Sequence, residues 1–510
     1  MAKFYITTAI DYANSTPHLG TAYEKIGADV IARYRRLCGD DVYFVMGNDE
    51  HSQNVRKKAE AEKLDPKVYC DQMAGKFQET WKALHLSYDF FIQTTMPNHH
   101  VVVRDIAGRI FKARDAKGQP VIYKAPYEGH YCISCEAFYQ EKDLVGGLCP
   151  THQAKPEWIR EENYFFRLSA FSDPLRKLYG ERPNFLRPVA RRNEILQVLE
   201  QGLEDISISR ANKDWGVKLP FDEGAVAYVW FDALINYVSA VGPIGGEKYK
   251  RYWPADLHVI GKDITRFHCL IWPAMLMAAS LPVPKAVWGH GFVSIGGEKM
   301  SKSRGNIADP LSLAEAHGAD PLRYHLMREV PWDRDGDYTE ERFVARYNAD
   351  LANDLGNLVS RTLTMVKKYI GDKLKRPSKL TMPGELERIE TIVKMYRLKM
   401  DSYAIDEALA EAWVLVSEAN LLIDRMQPWS LAKDPANQQK LAELFYVLLE
   451  RIRWAGILLS PVMPFQMKRL LEFVDKDVTD PFTFGNLAAP GKTSAFAIRS
   501  PEPLFPRKSA

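Results

Sequence analysis

The chain has 510 residues and a mass of 58.2 kDa, which exceeds one ordinary domain and predicts several domains with sizeable cores. Hydrophobic residues make up 46% and charged residues 26%, values that exclude wholesale disorder. The formal net charge is only +3, so contact with nucleic acid must rest on local basic patches. We find no signal-peptide pattern and no apolar stretch long enough to span a bilayer, and we expect a soluble, cytoplasmic protein that does not bind membranes.

The first part of the chain alternates strand and helix patterns. Residues 3–10 predict a buried strand, 17–37 a helix that ends at Gly39, and 42–47 a second strand, with another helix to about residue 62. Strand, helix and strand at this spacing form a βαβ unit, so we expect a parallel sheet.

The same strand pattern returns after a long interruption. Strands are predicted at 227–231, 257–261 and 287–293, whereas 116–225 is rich in Gly, Pro, Cys and aromatic residues. We therefore expect the sheet to be split by an inserted module.

The second half of the chain lacks strand signals. From about Arg346 to Leu459, apolar residues recur at helical spacing, which predicts a helix bundle. The tail from about Asp477 contains several prolines and glycines and is expected to wrap as a loop or to be partly disordered. The predicted fold class is α/β: a Rossmann-like parallel-sheet domain split by an insertion, followed by an all-α bundle.

The segment T-P-H-L-G-T at 16–21 lies between the first strand and the first helix. Nucleotides bind at this place in parallel sheets, because the first-turn amides and the helix dipole favour anions. Gly20 allows a ligand to approach the backbone, and His18 adds a donor. Taken alone, H-x-G is equally compatible with an ordinary loop.

A glycine-rich loop, G-G-E-K-M-S-K-S, occupies 296–303. Lys299 and Lys302 on a hinged loop suit a leaving group with several negative charges, since they can close on it as charge develops. Most K-x-x-K sequences are solvated basic loops. Here the same chain also carries the anion-binding turn at His18, which makes a merely solvated loop a poor explanation.

Four residues have the spacing of a metal site: Cys132-x2-Cys135-x13-Cys149-x2-His152. Two short knuckles with three thiolates and one imidazole favour a tetrahedral zinc ion, and a complete shell leaves no open position for catalysis. The alternative is a set of buried thiols with an unrelated histidine. Six cysteines are few for this length, which fits a reducing compartment better than a disulfide framework.

The histidine turn at 16–21 and the lysine loop at 296–303 resemble the two signatures of class I aminoacyl-tRNA synthetases. Within that class, the chain is most similar to the methionyl-tRNA synthetase family. The resemblance extends from about residue 3 to at least Trp429. The stretches that carry it, besides the cysteine and histidine set, are 9–20, 47–51, 228–237, 261–268, 299–306 and 348–361. The chain departs from the family at Thr21, where the first signature usually ends in a second histidine; a hydroxyl can still bind a phosphate oxygen, but it carries no charge.

The resemblance implies a two-step reaction. L-methionine and MgATP form methionyl-adenylate, and the methionyl group then passes to the 3′ end of initiator or elongator tRNA(Met). It also implies one structural Zn²⁺ per chain, Mg²⁺ with ATP and a monomeric enzyme. By this resemblance the ATP-binding residues are His18, Gly20, Thr21, Asp263, Lys299 and Lys302, of which His18, Lys299 and Lys302 are catalytic.

A methionine pocket is the next implication of the resemblance. Within 228–237, the side chains of a strand end and a helix start could form an apolar wall, although such aromatic stripes are usually plain core. The residues matched to the family's methionine site are Ile10, Tyr12, Asp49, Arg210, Trp230, Ala233, Leu234, Tyr237, Ile264 and His268. In this set Asp49 is matched to the ammonium partner and Arg210 to the carboxylate partner, and Leu234 replaces a proline seen in some relatives.

The helical half carries a predicted RNA site. Asn353, Asn357 and Arg361 recur every four residues on one helix face, and Trp429 follows at a helix boundary. Amide, guanidinium and indole groups suit unstacked bases, and the family uses matching positions to read the anticodon. Pattern alone favours surface polar residues and a half-buried Trp. Residues 361–400 contain 11 Lys or Arg against 4 Asp or Glu, a local charge of +7.

Together these features predict six regions. Residues 1–115 and 226–295 form the two halves of the catalytic domain, and 116–225 form the zinc-containing insertion between them. Residues 296–345 form the K-M-S-K-S loop and stem-contact region, 346–475 the anticodon-binding bundle and 476–510 the tail. Two alternatives stay open. One is a synthetase for another amino acid, cysteine being nearest in size; the other is a zinc-containing RNA-binding factor without catalysis.

Overall fold

The computed structural model describes residues 1–132, 137–139, 141–150, 153–211, 215–299, 308–475, 482–500 and 502–508. Its centre is a seven-stranded parallel sheet whose strands are β1 (Lys3–Thr8), β2 (Asp11–Tyr12), β3 (Asp41–Asp49), β4 (Phe90–Gln93), β5 (Leu186–Arg187), β6 (Leu257–Gly261) and β7 (Val287–His290). The strands follow the order β2-β3-β1-β6-β7-β5, and β4 also pairs with β3. Strand β1 lies between β3 and β6 and is almost wholly buried, which explains its near-continuous apolar run.

The structure confirms the parallel α/β core and corrects two details of it. The strand expected at 227–231 is wrong: a strand ends at Ala227 and a helix begins at Val229. A short apolar run is buried on all sides in either conformation, so periodicity could not separate the two. The segment 116–225 is also not wholly separate from the sheet, because it supplies β5, which pairs with β7.

The first helix, α1 (Leu19–Leu37), packs on the sheet with most of its residues buried. It makes one unusually close contact: a Cβ atom on Gly27 would lie 2.1 Å from the ring of Trp332. Only glycine allows this approach, which fixes α1 against the segment that follows the parallel sheet.

The inserted region forms two antiparallel sheets and two helices of its own. One sheet has four strands, in the order Ala137–Tyr139, Ile122–Cys132, Glu157–Phe166 and Ile206–Ser207. The other has three, in the order Ser209–Ala211, Asp222–Ala227 and Lys218–Leu219. The helices are Ser172–Glu181 and Val189–Gln201.

Further helices cover the parallel sheet. They are Gln53–Ala61, Pro66–Ala83, Pro97–Lys112, Val229–Leu234, Asn236–Ser239, Glu247–Tyr252 and Trp272–Ala278. A tight turn at Lys262–Ile264 and a wide, π-helical turn at Phe267–Ile271 precede the last of them. After β7 come a small sheet of Val293–Ile295, Glu298–Lys299 and Gly336–Tyr338 and the helices Pro310–His317, Ala319–Glu329 and Glu340–Arg346.

The C-terminal half is helical, as the spacing predicts. Its helices are Tyr347–Gly356, which is π-helical, then Asn357–Tyr369, Pro383–Asp401, Ile405–Met426, Pro428–Leu431, Gln438–Leu459 and Pro464–Val474. One short strand pair was not expected there: Lys373–Lys375 pairs with Ala495–Ala497 of the tail. The tail also buries Phe496 and Phe505 in the same apolar core as the bundle, which removes both rings from water.

A buried arginine side chain joins the bundle to the sheet domain through hydrogen bonds. The Arg323 guanidinium, fully buried, donates to Asp29 of α1 at 2.7 Å and to the carbonyl oxygens of Leu84, Pro461 and Val462. No helix within the described ranges is long and apolar enough to cross a membrane.

Candidate active site

A cavity of about 510 Å³ opens at the carboxyl edge of the parallel sheet. Strand β1 pairs with β3 along one edge and with β6 along the other, so the strand order reverses at β1. The cavity lies at the carboxyl end of these three strands. In open α/β sheets this position is the ordinary ligand site.

Most of the residues singled out in the sequence line this one cavity. They come from four separate parts of the chain, 10–21, 49, 230–237 and 263–268, which the sheet brings together. They are Ile10, Tyr12, His18, Gly20, Thr21, Asp49, Trp230, Ala233, Leu234, Tyr237, Asp263, Ile264 and His268.

The aromatic end of the cavity is built by edge and face contacts. The Trp230 ring stacks on Phe267 with centroids 3.8 Å apart, and the Tyr12 ring meets Trp230 edge-on at 6.1 Å. Stacking of this kind restricts ring rotation, so the wall is formed before any ligand enters. The unbranched, polarisable side chain of methionine suits such a slot.

Tyr237 and His268 form a buried pair at this end. The His268 Nδ1–H donates to the Ile264 carbonyl oxygen at 3.0 Å, so its Nε2 accepts from the Tyr237 hydroxyl at 2.7 Å. Burial lowers the pKa of His268 to about 4, against a smaller opposing effect of the Ile264 carbonyl. The imidazole is therefore neutral at physiological pH, and the Tyr237 hydroxyl is held in one orientation.

The polar end of the cavity is formed by the turn before α1. His18 is the N-cap residue of α1, and its ring nitrogen Nδ1 accepts a hydrogen bond from the Thr21 amide at 3.3 Å. The first-turn amides of α1 and the helix dipole favour an anion at this end.

A buried group of charges that the sequence interpretation missed lies beside this turn. Lys25 bonds Glu24 at 2.8 Å and Asp11 at 2.9 Å, and the second Glu24 oxygen lies 3.1 Å from His290 Nε2. Burial disfavours the charged form of Glu24, but Lys25 and His290 outweigh it and lower its pKa to about 2. Asp11, Glu24 and His290 also line the cavity. The sequence did contain a signal for this buried group: the charged pair Glu24-Lys25 lies among apolar residues near the start of the helix that follows His18.

A second buried network holds the aromatic wall in place. Asp232 lies two residues after Trp230 and accepts from His51 Nδ1 at 2.6 Å and His99 Nε2 at 3.0 Å. Burial opposes ionisation of Asp232, but the two histidines hold its pKa well below the usual range. The end of β3, where Asp49 lies two residues before His51, is thereby tied to the helix that carries Trp230.

Of the residues matched to the methionine and ATP sites, Arg210 does not line the cavity, and two lysines lie wholly or partly outside the described residues. Arg210 lies elsewhere, with its guanidinium carbon 4.3 Å from the Tyr228 ring centroid and Nη1 3.6 Å from Glu161. Its match to the carboxylate partner therefore has no geometric support. The backbone of Lys299 ends a short strand, but its side chain and the whole of Lys302 lie outside the described residues.

Half of the predicted zinc site can be located. Cys132 and Cys149 are both buried, at 1% and 0% exposure, whereas Cys135 and His152 lie outside the described residues. Three thiols and one imidazole fit zinc in donor type and number. Among the residues that the structure describes, no three His, Cys, Asp or Glu side chains form a metal-binding group.

The residues matched to anticodon reading lie on the surface of the bundle. Asn353 and Asn357 are exposed, and Trp429 retains 43% of its accessible surface. Arg361 is partly exposed and lies 3.1 Å from Asp424. An exposure of 43% excludes a fully buried core ring and agrees with the half-buried Trp that the pattern alone favours.

Comparison with known proteins agrees with this geometry. The family model described as tRNA synthetases class I (M) matches residues 4–157 and 149–363. Methionine--tRNA ligase of Caldanaerobacter subterraneus subsp. tengcongensis is 44% identical, over 99% of this chain and 78% of the relative. Methionine--tRNA ligase of Thermotoga maritima is 42% identical, over 100% of this chain and 81% of the relative.

A solved structure is similar over almost the whole chain. It is Mycobacterium tuberculosis methionyl-tRNA synthetase in complex with methionyl-adenylate, 40% identical, with a TM-score of 0.94 over 99% of this chain and 100% of that one. The split parallel sheet and the cavity at its switch point thus define a class I tRNA synthetase. Within that class, the chain belongs to the methionine--tRNA ligase family.

Proposed function

We propose that this protein is the ligase that joins L-methionine to tRNA(Met). The carboxylate of methionine attacks the α-phosphorus of MgATP, pyrophosphate leaves, and the 3′-terminal ribose hydroxyl of the tRNA then displaces AMP from the acyl carbon. The observation that carries the proposal is the single cavity, whose aromatic end and phosphate-binding turn meet at the switch point of the sheet. The relative that holds methionyl-adenylate supports it.

Methionine would bind at the aromatic end. Its thioether would lie against Tyr12, Trp230 and Tyr237, and its ammonium would face the buried carboxylate of Asp49. Because the rings and the Tyr237 hydroxyl are already held, little ordering is needed when the amino acid binds.

ATP would bind at the polar end. His18 and the amides after Gly20 would hold the phosphates, and Asp263 at the end of β6 would face the ribose or magnesium. Mg²⁺, when bound with ATP, neutralises phosphate charge and orients the leaving group. Lys299 and Lys302 would close on the pyrophosphate as its charge develops, and no protein nucleophile is required.

The bundle would recognise the tRNA. Asn353, Asn357, Arg361 and Trp429 are accessible for edge hydrogen bonds and stacking with anticodon bases. The local excess of basic residues at 361–400 would face phosphates. We propose that the enzyme acts as a monomer in the cytoplasm, where its tRNA substrate is used.

A structural zinc ion would hold the insertion. Its ligands would be Cys132, Cys135, Cys149 and His152, which come from two knuckles on either side of a short antiparallel segment. The two described thiols of this set, Cys132 and Cys149, are buried, as the ligands of a closed structural site must be.

Exchange of radiolabelled pyrophosphate into ATP tests the proposal directly. We expect exchange that depends on L-methionine and is not supported by L-cysteine, L-leucine or L-isoleucine. Exchange with cysteine would favour a different synthetase. No exchange with any amino acid, in a protein that still binds tRNA, would favour a noncatalytic RNA-binding factor.

A further inference from the structure

Thr21 stands where the family's first signature usually has histidine, and its hydroxyl is fully used within the turn. The Thr21 Oγ1–H donates to the His18 carbonyl oxygen at 2.7 Å, and Oγ1 accepts from the His18 amide at 3.0 Å. A hydroxyl has a single proton to donate. In this arrangement Thr21 has no donor left for a phosphate oxygen, contrary to the contact that the sequence alone suggests.

The same turn determines where His18 carries its proton. The Thr21 amide donates to Nδ1 of His18 at 3.3 Å, which completes a reciprocal capping box at the start of α1. A nitrogen that accepts an N–H bond has no proton, so the proton of the neutral ring is on Nε2. His18 lines the cavity, so this N–H is the donor that its ring can offer to an anion there.

We infer that Thr21 is a positioning residue, which holds His18 in the Nε2–H tautomer for adenylate formation. The two hydroxyl bonds fix the His18 backbone, and the fixed backbone keeps Nδ1 within reach of the Thr21 amide. The turn thereby supplies one preorganised imidazole donor in place of two histidines. This inference rests on the proposed function for its catalytic consequence, but the tautomer itself can be measured without activity.

The first test is nitrogen NMR of ¹⁵N-histidine-labelled, ligand-free enzyme, with the His18 signals assigned from the His18→Ala variant. Wild type and Thr21→Ser should both show a protonated Nε2 and an unprotonated Nδ1. Thr21→Val keeps the shape but loses both hydroxyl bonds, and its His18 signals should shift toward a mixture of tautomers. A wild-type Nδ1–H tautomer, or identical His18 signals in the valine variant, would overturn the inference.

The second test is a double-mutant cycle on methionine-dependent pyrophosphate exchange. Thr21→Val should lower kcat about ten- to a hundredfold with little change in the methionine KM, because a misplaced donor mainly affects the transition state. Thr21→Ser should recover most of this loss. In a His18→Ala background, Thr21→Val should cost less than about twofold, since Thr21 acts only through His18. Additive losses would mean a direct phosphate contact and would refute the positioning role.

A matched variant separates positioning from simple helix capping. Thr339 caps the helix Glu340–Arg346 by accepting from the Arg342 amide at 3.2 Å, and it lies outside the cavity. Thr339→Val should lower the melting temperature to a similar extent as Thr21→Val but leave kcat for exchange unchanged. Absence of exchange in the wild type would contradict the proposed function instead, and the NMR result would still decide the tautomer.

Discussion

The neutral state of His268 predicts a specific dependence of stability on pH. The pKa of its imidazole is about 4 in the folded protein and about 6.5 in an unfolded chain. Between pH 4 and pH 6.5 the His268 imidazole is protonated in the unfolded chain and neutral in the folded protein. The free energy of unfolding therefore falls as the pH falls from about 6.5 toward 4. Above about 6.5 neither state is protonated at this residue, and its contribution no longer changes.

The size of the effect follows from the two pKa values. Between pH 7.5 and pH 5, linkage gives about 2 kcal/mol of lost unfolding free energy from His268 alone. His268→Gln has no titrating ring, so the difference in unfolding free energy between variant and wild type should shift by about 2 kcal/mol over this interval. Urea titrations followed by tryptophan fluorescence at both pH values measure this difference. A pH-independent difference would falsify the buried, neutral assignment.

A second buried histidine provides the matched control. The pKa of His325 is also lowered to about 4, chiefly by burial, and His325 lies outside the cavity. His325→Gln should give a similar pH-dependent shift with an unchanged methionine KM. His268→Gln should in addition raise the methionine KM about five- to a hundredfold, because the rigid ring that holds the Tyr237 hydroxyl in one orientation is replaced by a flexible amide. Equal KM values in the two variants would remove His268 from the pocket.

Three further predictions address the lysine loop, the bundle and the metal. Lys302→Ala should lower the exchange rate about 10²–10³-fold with little change in methionine KM, because its contact forms in the transition state. Trp429→Ala should leave exchange and melting temperature nearly intact, since the ring is 43% exposed, but should lower kcat/KM for tRNA charging about five- to a hundredfold through the lost base stacking. Cys149→Ala should lose zinc, measured by metal analysis against about one equivalent in wild type, and should reduce charging.

Each of these predictions has a contrary outcome that is easy to recognise. An unchanged exchange rate with a raised methionine KM would contradict the lysine assignment. A parallel fall of exchange and charging in a destabilised Trp429 variant would place that ring in the core. Less than a tenth of an equivalent of zinc in wild type, purified without chelators, would rule out the metal site.

The sequence by itself determined the fold class and the chemistry-bearing motifs. Short buried apolar runs that alternate with helix patterns marked the sheet domain, and apolar residues at a spacing of about 3.6 marked the helical half, because these patterns follow from the local geometry of each element. The turn at His18 and the knuckle spacing were recognisable because their functional groups lie within a few residues of one another. Even so, the strand expected at 227–231 is mostly a helix, since a short, fully buried apolar run has no period to distinguish it.

Only the tertiary structure decided how distant groups meet. The pairing of Glu24 with His290 joins residues 266 positions apart, and Asp232 reaches His51 across 181. Such contacts depend on sheet order and helix packing, which local patterns do not encode. Arg210, chosen by resemblance, lies against Tyr228 outside the cavity for the same reason. The hydroxyl of Thr21 could be interpreted as a phosphate ligand from its position in the motif, but in the folded turn it bonds the His18 backbone, because the His18 amide at the helix start has no intrahelical partner.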